Sequence, residues 1–347
     1  MPTAVARHRP RDSLARAAVG LAVAFVALSA TAGCDRTSAA GPPVQAATGP
    51  ARPAQPAIDR YIGGTTLVVL SVDVAAIDPP AVAAWAGRAC GPDAGLLTAR
   101  LTPWRERFLA AGATHLYLLV SADRSGVRVA VLVPHAATAD AAALESLVRP
   151  AAAVLLGDRG GRNLVVRPHG MALVAGTPAA VSELIGTAED PYRARHDGLT
   201  AALGRAGDGP VRAGFATSEG VRAGLALTDP PLPVWLGGGR AQVLAGNIDW
   251  ATADLRLPTA SGPDAASCRM VLAASGGSAR ASVAAALAIA AARGPGEFAA
   301  AGWADAAALV ARLRPEPCGD GLEARLSADD LAAALPALLP RLKAATE

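Results

Sequence analysis

Aromatic side chains are scarce in this chain of 347 residues, where they make up 3% of the total. A large ligand cavity lined with aromatic rings is hard to build from so few. Stacking against sugars is restricted to a few places, such as Trp104, Trp235, Trp250 and Trp303. The apolar residues, 52% of the chain, are mostly Ala, Val and Leu, so we expect closely packed helices and aliphatic strands.

Net positive charge is also absent once the N-terminal segment is set aside. The whole chain carries a formal charge of +3, but residues 1–33 contain four arginines and one aspartate and account for all of it. The remaining residues are formally neutral, and no basic run is interleaved with aromatic residues. Phosphate backbones attract proteins through a positive field. Nucleic acid binding is therefore not expected.

Catalytic and metal-binding motifs are missing as well. The histidines at positions 115, 135, 169 and 196 have no partner at HxxxH or HExxH spacing, and no GxSxG sequence occurs. Two glycine-rich segments, at 157–162 and 237–240, could cradle an anion but lack the Lys-Ser/Thr of a phosphate-binding loop. The sequence predicts no metal, no cofactor and no enzymatic activity.

Four cysteines are present: Cys34, Cys90, Cys268 and Cys318. No CxxC or Cys/His spacing points to zinc. In an exported chain the last three allow one disulfide and one free thiol. Cys90 and Cys318 both precede turn-like sequence, which accommodates disulfide geometry more easily than a strand, so a Cys90–Cys318 bridge is favoured. Three unbridged thiols remain the alternative.

The first 34 residues are typical of an export signal. A basic start with four arginines is followed by the apolar stretch Ala17 to Ala32 and then by Gly33-Cys34. A cysteine directly after Ala-Gly resembles the lipobox of bacterial lipoproteins, although Thr31 stands where leucine is usual. The resemblance implies acylation of Cys34, export, and a membrane anchor in the cell envelope with the periplasmic face as the expected side. Plain secretion after Ala30-Thr31-Ala32 and an uncleaved anchor are the alternatives; the apolar stretch is shorter than the roughly 20 residues that span a membrane.

A low-complexity spacer follows, which sets the expected division of the chain. Residues 35–57 are rich in Pro, Ala, Gly, Ser and Thr and have little to bury, so we expect a disordered tether. The predicted division is a signal peptide over 1–33, a tether over 34–57, a first half over 58–190 and a second half over 191–347.

Strand and helix patterns alternate in the same order in both halves. Each half approximates β-α-β-β-α-β, the ferredoxin-like order. The predicted fold class is therefore α+β, with antiparallel sheets covered on one face by helices and with two sheets that could pair into one.

The chain resembles uncharacterised secreted proteins of GC-rich, planctomycete-like bacteria. The resemblance lies in the spacing of the predicted strands, the PPLP sequence at 230–233, the strand around Gly246–Trp250 and the SADDLAAALPALLP tail. The resemblance implies location and fold, without an activity. The favoured hypothesis is a non-catalytic envelope lipoprotein that docks to another envelope protein or scaffolds an assembly. The alternative is a carrier or sensor that holds a small apolar or lipidic molecule between the halves.

Overall fold

The computed structural model describes residues 58–90, 93–123, 126–161, 163–192, 196–222, 246–262, 266–274, 276–285, 296, 312, 316–319 and 321–333. The predicted signal peptide and tether, including Cys34, lie outside the described residues, and so do the PPLP sequence and the segment at 237–240. Within the described ranges, no helix has the length and apolar character needed to cross a membrane.

In the part of the chain that the structure describes, ten strands form one antiparallel sheet in the order β4-β5-β3-β2-β1-β6-β7-β8-β10-β9. The first five are β1 (Thr66–Asp73), β2 (His115–Asp123), β3 (Gly126–Pro134), β4 (Val165–Pro168) and β5 (Ala172–Gly176). The other five are β6 (Val211–Ala216), β7 (Ile248–Arg256), β8 (Ser267–Ala274), β9 (Glu316–Cys318) and β10 (Gly321–Leu326). The predicted α+β class with an antiparallel sheet is confirmed.

The two halves join at the middle of the sheet. β1 and β6 pair antiparallel, with Leu70 opposite Ala213 near the centre of the pairing. On each side of this junction the strands follow one another in the same order, because β1-β2-β3-β5-β4 on one side corresponds to β6-β7-β8-β10-β9 on the other. The duplicated halves therefore share a single continuous sheet.

The strands are not arranged as two ferredoxin-like units. In that arrangement a single helix leads from the first strand to a parallel strand, and a third strand lies between them. Here two packed helices, α1 (Pro79–Cys90) and α2 (Asp93–Ala110), connect β1 to β2. Two helices bring the chain back in the opposite direction, so β2 pairs directly with β1 as an antiparallel neighbour.

Three further helices complete the described α-helical elements that have defined bounds: α3 (Ala141–Gly161), α4 (Pro178–Glu189) and α5 (Asp197–Arg205). Several begin where capping residues predict them to begin. Asp78 Oδ1 accepts a hydrogen bond from the Ala81 N–H at 3.1 Å, and Thr177 Oγ1 accepts one from Ala180 at 3.4 Å. Ser327 and Asp330 exchange side-chain-to-backbone hydrogen bonds, which makes a capping box for the helical residues 328–333.

Two helices are longer than their sequences predict. Thr-Pro at 102–103 is a pattern typical of a helix start, but α2 begins at Asp93 and contains Pro103. α3 continues past Pro150 and through Gly157–Gly161, so most of the glycine-rich segment at 157–162 is helical. Breaker residues are tolerated here because one face of each helix packs on the sheet through buried side chains such as Phe108, Leu144 and Val148.

Helices cover both faces of the sheet, rather than one as predicted. The face that contains Val69, Leu119 and Leu132, called the front, packs against α4, α5 and a 3₁₀ helix at Ile58–Tyr61. The opposite face, called the back, packs against α2 and α3 in the first half. In the second half the back is covered by α1 and by the helical residues 328–333.

The front of the second half is more open. Along β8 the back residues Met270, Leu272 and Ala274 are buried, whereas the front residues Arg269, Val271 and Ala273 are exposed or half-buried. Such alternation is typical of a sheet with one face in water. By contrast, every residue of β5 is buried.

The two edges of the sheet are short and contain proline. β4 has four residues and ends at Pro168, and β9 has three residues centred on Pro317. Proline has no N–H to offer a further strand, and short edges give little template for pairing. Among the described strands, both outermost strands are thus poor templates for pairing.

Candidate functional site: an arginine face on the sheet

A row of charged side chains crosses the front of the second half. The strand register places Arg212, Asp254, Arg269 and Arg325 opposite one another on β6, β7, β8 and β10. Cross-strand neighbours lie on the same face of a sheet at about 5 Å. The row therefore brings together residues that are far apart in the sequence.

Glu323 holds two of these arginines. Its Oε1 accepts a hydrogen bond from Arg269 Nε at 2.9 Å and one from Arg325 Nε at 2.5 Å, while Oε2 accepts from Arg269 Nη2 at 3.3 Å. Burial alone would raise the pKa of this carboxyl group. The hydrogen bonds and charges of both guanidinium groups outweigh burial and lower the pKa to about 2. Glu323 is thus ionised at neutral pH and cannot serve as a general acid.

Asp254 supports the third arginine of this surface. Its Oδ1 accepts a hydrogen bond from the Gly209 N–H at 2.6 Å, and its Oδ2 lies 3.6 Å from Arg256 Nε. A side chain at position 209 would collide with the backbone of Leu255 and with the Asp254 carboxylate, so the close approach requires glycine. The loop before β6 is in this way fixed to β7.

The guanidinium groups lie outside and the carboxylates beneath. The side chains of Arg256, Arg269 and Arg325 are 61%, 52% and 75% exposed, whereas those of Asp254 and Glu323 are 7% and 10% exposed. We call Arg256, Arg269 and Arg325 the arginine face. Guanidinium N–H groups that the two carboxylates do not engage can donate to a carboxylate or a phosphate, for which the planar fork is well matched.

Neither Cys318, on the front, nor Cys268, on the back, is an activated nucleophile. Cys318 is a free, exposed thiol that lies by register on the front, beside Glu323. Burial of its sulfur and the Glu323 carboxylate raise the pKa of the thiol, and the arginines offset this only in part. Burial raises the pKa of the Cys268 thiol to about 12. Nucleophilic chemistry needs the thiolate, which neither group supplies at neutral pH.

The predicted Cys90–Cys318 disulfide is not present, because Cys318 is a free thiol. The reason lies in the faces of the sheet. Helix α1, which ends at Cys90, packs on the back through Trp85 and Ala86, whereas Cys318 belongs to the front.

The four histidines considered in the sequence analysis lie in different parts of the fold. His196 caps α5: its Nδ1 accepts a hydrogen bond from Leu199 N–H at 3.3 Å, and its Nε2 lies 3.1 Å from the Ala216 carbonyl oxygen. Burial lowers the pKa of His196. His115 lies near Asp73, and His135 contacts a backbone carbonyl. Among the residues that the structure describes, no group of three or more His, Cys, Asp and Glu side chains is placed to hold a metal ion.

The fourth histidine fixes the point where the chain enters the fold. Tyr61 Oη lies 2.9 Å from His169 Nδ1 and accepts a hydrogen bond from Arg60 Nη2 at 2.9 Å. His169 Nε2 is in turn 3.4 Å from Glu189 Oε1. These contacts join the 3₁₀ helix to the β4–β5 turn and to the end of α4, so the first described residues are held on the front of the sheet.

A shallow, solvent-open pocket lies between α4 and the sheet of the first half. It is lined in part by the ion pair of Arg128 and Glu183, and Thr65 Oγ1 donates a further hydrogen bond to Glu183 at 2.7 Å. The pocket does not lie between the halves, where β1 and β6 are hydrogen-bonded to each other. The carrier hypothesis, which placed a ligand there, gains no support from this pocket.

The arginine face was missed in the sequence, although a signal for it is present. In GLEARL, Glu323 and Arg325 alternate with Leu322, Ala324 and Leu326, and the TADLR segment of β7 alternates in the same way. Charged residues at every second position of a strand indicate a solvated face. Which arginine would meet which carboxylate depends on strand register between segments, which the alternation does not give.

Comparison with known proteins adds little to this description. No protein-family model matches the sequence, and no curated protein matches it. Among solved structures the chain is similar to crystal forms I, III and IV of TP0453, with 11%, 10% and 12% sequence identity and a TM-score of 0.35 for each. These matches cover 82%, 80% and 80% of this chain and 98%, 96% and 95% of the respective TP0453 chains.

Proposed function

We propose that this protein is a non-catalytic lipoprotein of the cell envelope, a membrane-tethered α+β module that interacts with other envelope components. The basic start, the apolar stretch and the Ala-Gly-Cys34 sequence support acylation at Cys34. The Pro- and Ala-rich residues 35–57 would then separate the folded body from the membrane.

The arginine face is the observation that carries the interaction role. Its three guanidinium groups are exposed, while the carboxylates that hold them are nearly buried. Ion pairing fixes the long side chains in advance, so less conformational entropy is lost when they meet a partner. The strongly shifted pKa values nearby have structural causes, namely ion pairing at Glu323 and burial at Cys268. The proposal therefore assigns no catalytic step to these groups.

The lipoprotein proposal is tested by the mass and location of the mature protein. We expect the wild-type protein in its host to begin at Cys34, to carry acyl groups and to remain with the membrane fraction. Cys34→Ala should lose the acyl mass and be processed differently or remain a precursor. An unmodified wild-type product cleaved after Ala32 would contradict the anchor and support plain secretion. An uncleaved wild-type chain that keeps residues 1–33 would instead identify a membrane anchor.

The interaction role is tested separately by chemical cross-linking in intact cells. A photoreactive group introduced at Arg256 on the front should form specific adducts with envelope components. The matched control is the same group at Arg149, which is exposed on α3 at the back and pairs with Glu145 in the same helix. Equal cross-linking from both positions, or none from either, would contradict a role for the arginine face.

A further inference from the structure

We infer that His196 makes helix α5 a pH-sensitive cover of the junction between the two halves. In mild acid the helix opens from its N-terminal end, while the rest of the sheet stays folded. A buried histidine that caps a helix loses this role when its ring gains a second proton. This device belongs to the folded body and does not depend on acylation at Cys34.

The hydrogen bonds of His196 require a neutral ring with its proton on Nε2. Nδ1 lies 3.3 Å from the Leu199 amide nitrogen, which can only donate, so Nδ1 carries a lone pair. Nε2 lies 3.1 Å from the Ala216 carbonyl oxygen, which can only accept, so Nε2 carries the proton. A charged ring has a proton on both nitrogens. Its Nδ1–H would face the Leu199 N–H, and a contact between two donors would replace the hydrogen bond.

Burial adds to the cost of charging the ring in place. His196 is 6% exposed, and a Cβ at position 198 would lie 3.4 Å from the ring carbon Cε1. The Leu199 amide also donates to the His196 carbonyl oxygen at 3.0 Å, so protonation weakens the first turn without breaking every hydrogen bond in it. A charged ring reaches water only if this turn moves away from the sheet.

The charged groups around the ring do not offset its burial. Burial is the largest influence on the pKa of His196 and lowers it, and the charge of Arg222, in the helical residues after Ser218, lowers it further. The Ala216 and His196 carbonyl oxygens and the Asp197 carboxylate act in the opposite direction. Among the described residues, Asp197 on α5 and Arg222 are thus the charged groups that act on the ring, and they oppose each other.

Helix α5 lies where its opening would uncover the junction. It packs across β6 and its two neighbours, β1 and β7. Leu199 and Leu203 are buried on the front, and a Cβ at position 214 of β6 would lie 3.0 Å from the Leu203 nitrogen. The chain after the helix is held separately, because the Gly209 N–H donates to Asp254 Oδ1 at 2.6 Å. Opening therefore starts at the N-terminal end of the helix.

Helix α4 provides an internal comparison. It also covers the front, but its cap is Thr177, whose Oγ1 accepts a hydrogen bond from the Ala180 N–H. A threonine hydroxyl group keeps its proton throughout the range in which histidine titrates. The first turn of α4 should therefore stay closed under conditions that open α5, whereas a general loss of stability in acid would affect both helices.

Amide hydrogen exchange of the purified protein at pH 7.5 and 5.5, corrected for the intrinsic pH dependence of exchange, measures the opening. An opening that brings His196 into water at its ordinary pKa of about 6.5 becomes up to about tenfold more frequent between these pH values. We expect protection over α5 to fall by about three- to tenfold. Protection in the first turn of α4 and over β2 and β3 should not change.

Two variants assign the response to one side chain. His196→Asn cannot titrate and keeps an oxygen acceptor of the kind favoured at helix N-caps, so its α5 should be equally protected at both pH values. His115→Asn is the matched control, because His115 lies on β2 near Asp73. It should keep the wild-type response of α5.

Several results would overturn the inference. These are equal protection of wild-type α5 at both pH values, an equal loss over α4 and α5, and a pH response that persists in His196→Asn. If that variant does not fold, the nitrogen chemical shifts of the wild-type ring provide the second measurement. A proton on Nδ1 at pH 7.5 would contradict the inference, whereas a proton on Nε2 together with a loss confined to α5 would support it.

Discussion

Replacement of Glu323 by glutamine should destabilise the protein in a pH-dependent way. The pKa of this carboxyl group falls from its ordinary 4.5 to about 2 in the folded state, which corresponds to about 3.4 kcal/mol if fully expressed. Both guanidinium partners are more than half exposed, and solvent screening reduces the contribution to about 1–2 kcal/mol. Glu323→Gln should therefore lower the free energy of unfolding by about 1–2 kcal/mol at neutral pH.

The sign of the pH effect follows from the lowered pKa. The folded state keeps Glu323 ionised at pH values where the unfolded chain has already bound a proton. The stabilisation is thus fully present above about pH 4.5, the value for the unfolded chain, and is lost as the pH falls towards about 2. Wild type and Glu323→Gln should differ at neutral pH and become equal in strong acid.

Urea unfolding of the two proteins across this pH range measures the difference directly. Glu145→Gln is the matched control, because Glu145 also pairs with an arginine at 2.5 Å but both side chains are 40–48% exposed. Its loss should stay below about 0.5 kcal/mol. If Glu323→Gln costs no more than this control, or if its cost persists unchanged in acid, the assignment of the low pKa to the two guanidinium groups is wrong.

Three further predictions concern the packing around the site. Burial lowers the pKa of His196, so as the pH falls below about 6.5 the unfolded chain binds a proton before the folded protein does, and the folded state loses stability. His196→Asn cannot titrate, so its melting temperature should depend less on pH than that of the wild type. A pH dependence equal to that of the wild type would contradict this. Tyr61→Phe removes the hydroxyl group that joins Arg60 and His169 and should lower the free energy of unfolding by about 1 kcal/mol. Amide hydrogen exchange should become faster only at residues 58–62. Exchange that stays slow there would contradict the role of this hydroxyl group in holding the 3₁₀ helix. Gly112 has φ 90°, so Gly112→Ala should lower the free energy of unfolding in urea by more than about 1 kcal/mol. Gly204 lies in an open position on α5, and Gly204→Ala should be neutral or stabilising by about 0.5–1 kcal/mol. Equal effects of the two substitutions would contradict the role of the positive φ at Gly112.

The sequence predicted features that depend on neighbouring residues. Asp78, Thr177 and Ser327 are residue types that favour helix N-caps, and each side chain accepts a hydrogen bond from the N–H group three residues further on. The strand that contains Ala251 and Ala253 turns those residues to the buried side as its alternation predicts. Local spacing is sufficient for such features.

Features that depend on distant contacts were not predictable in the same way. The sequence predicted that the two sheets could pair, but it did not identify β1 and β6 as the strands that join them. The two-sided covering of the sheet and the contact of Glu323 with Arg269 likewise join segments that lie tens of residues apart. Proline is typical of helix boundaries, but α2 contains Pro103 and α3 contains Pro150, because burial of one helix face on the sheet overrides a local break. The arginine face belongs to this second group, since register between three strands creates it.

The junction of β1 with β6 also constrains how the chain can be made and divided. Val68–Val72 is an apolar strand segment that pairs with Val211–Phe215. Until the second strand has been synthesised, the first half presents an unpaired central strand, which is a template for association with other chains. A gene fragment that ends near residue 190 would encode this exposed edge permanently. The two halves are therefore structurally dependent on each other.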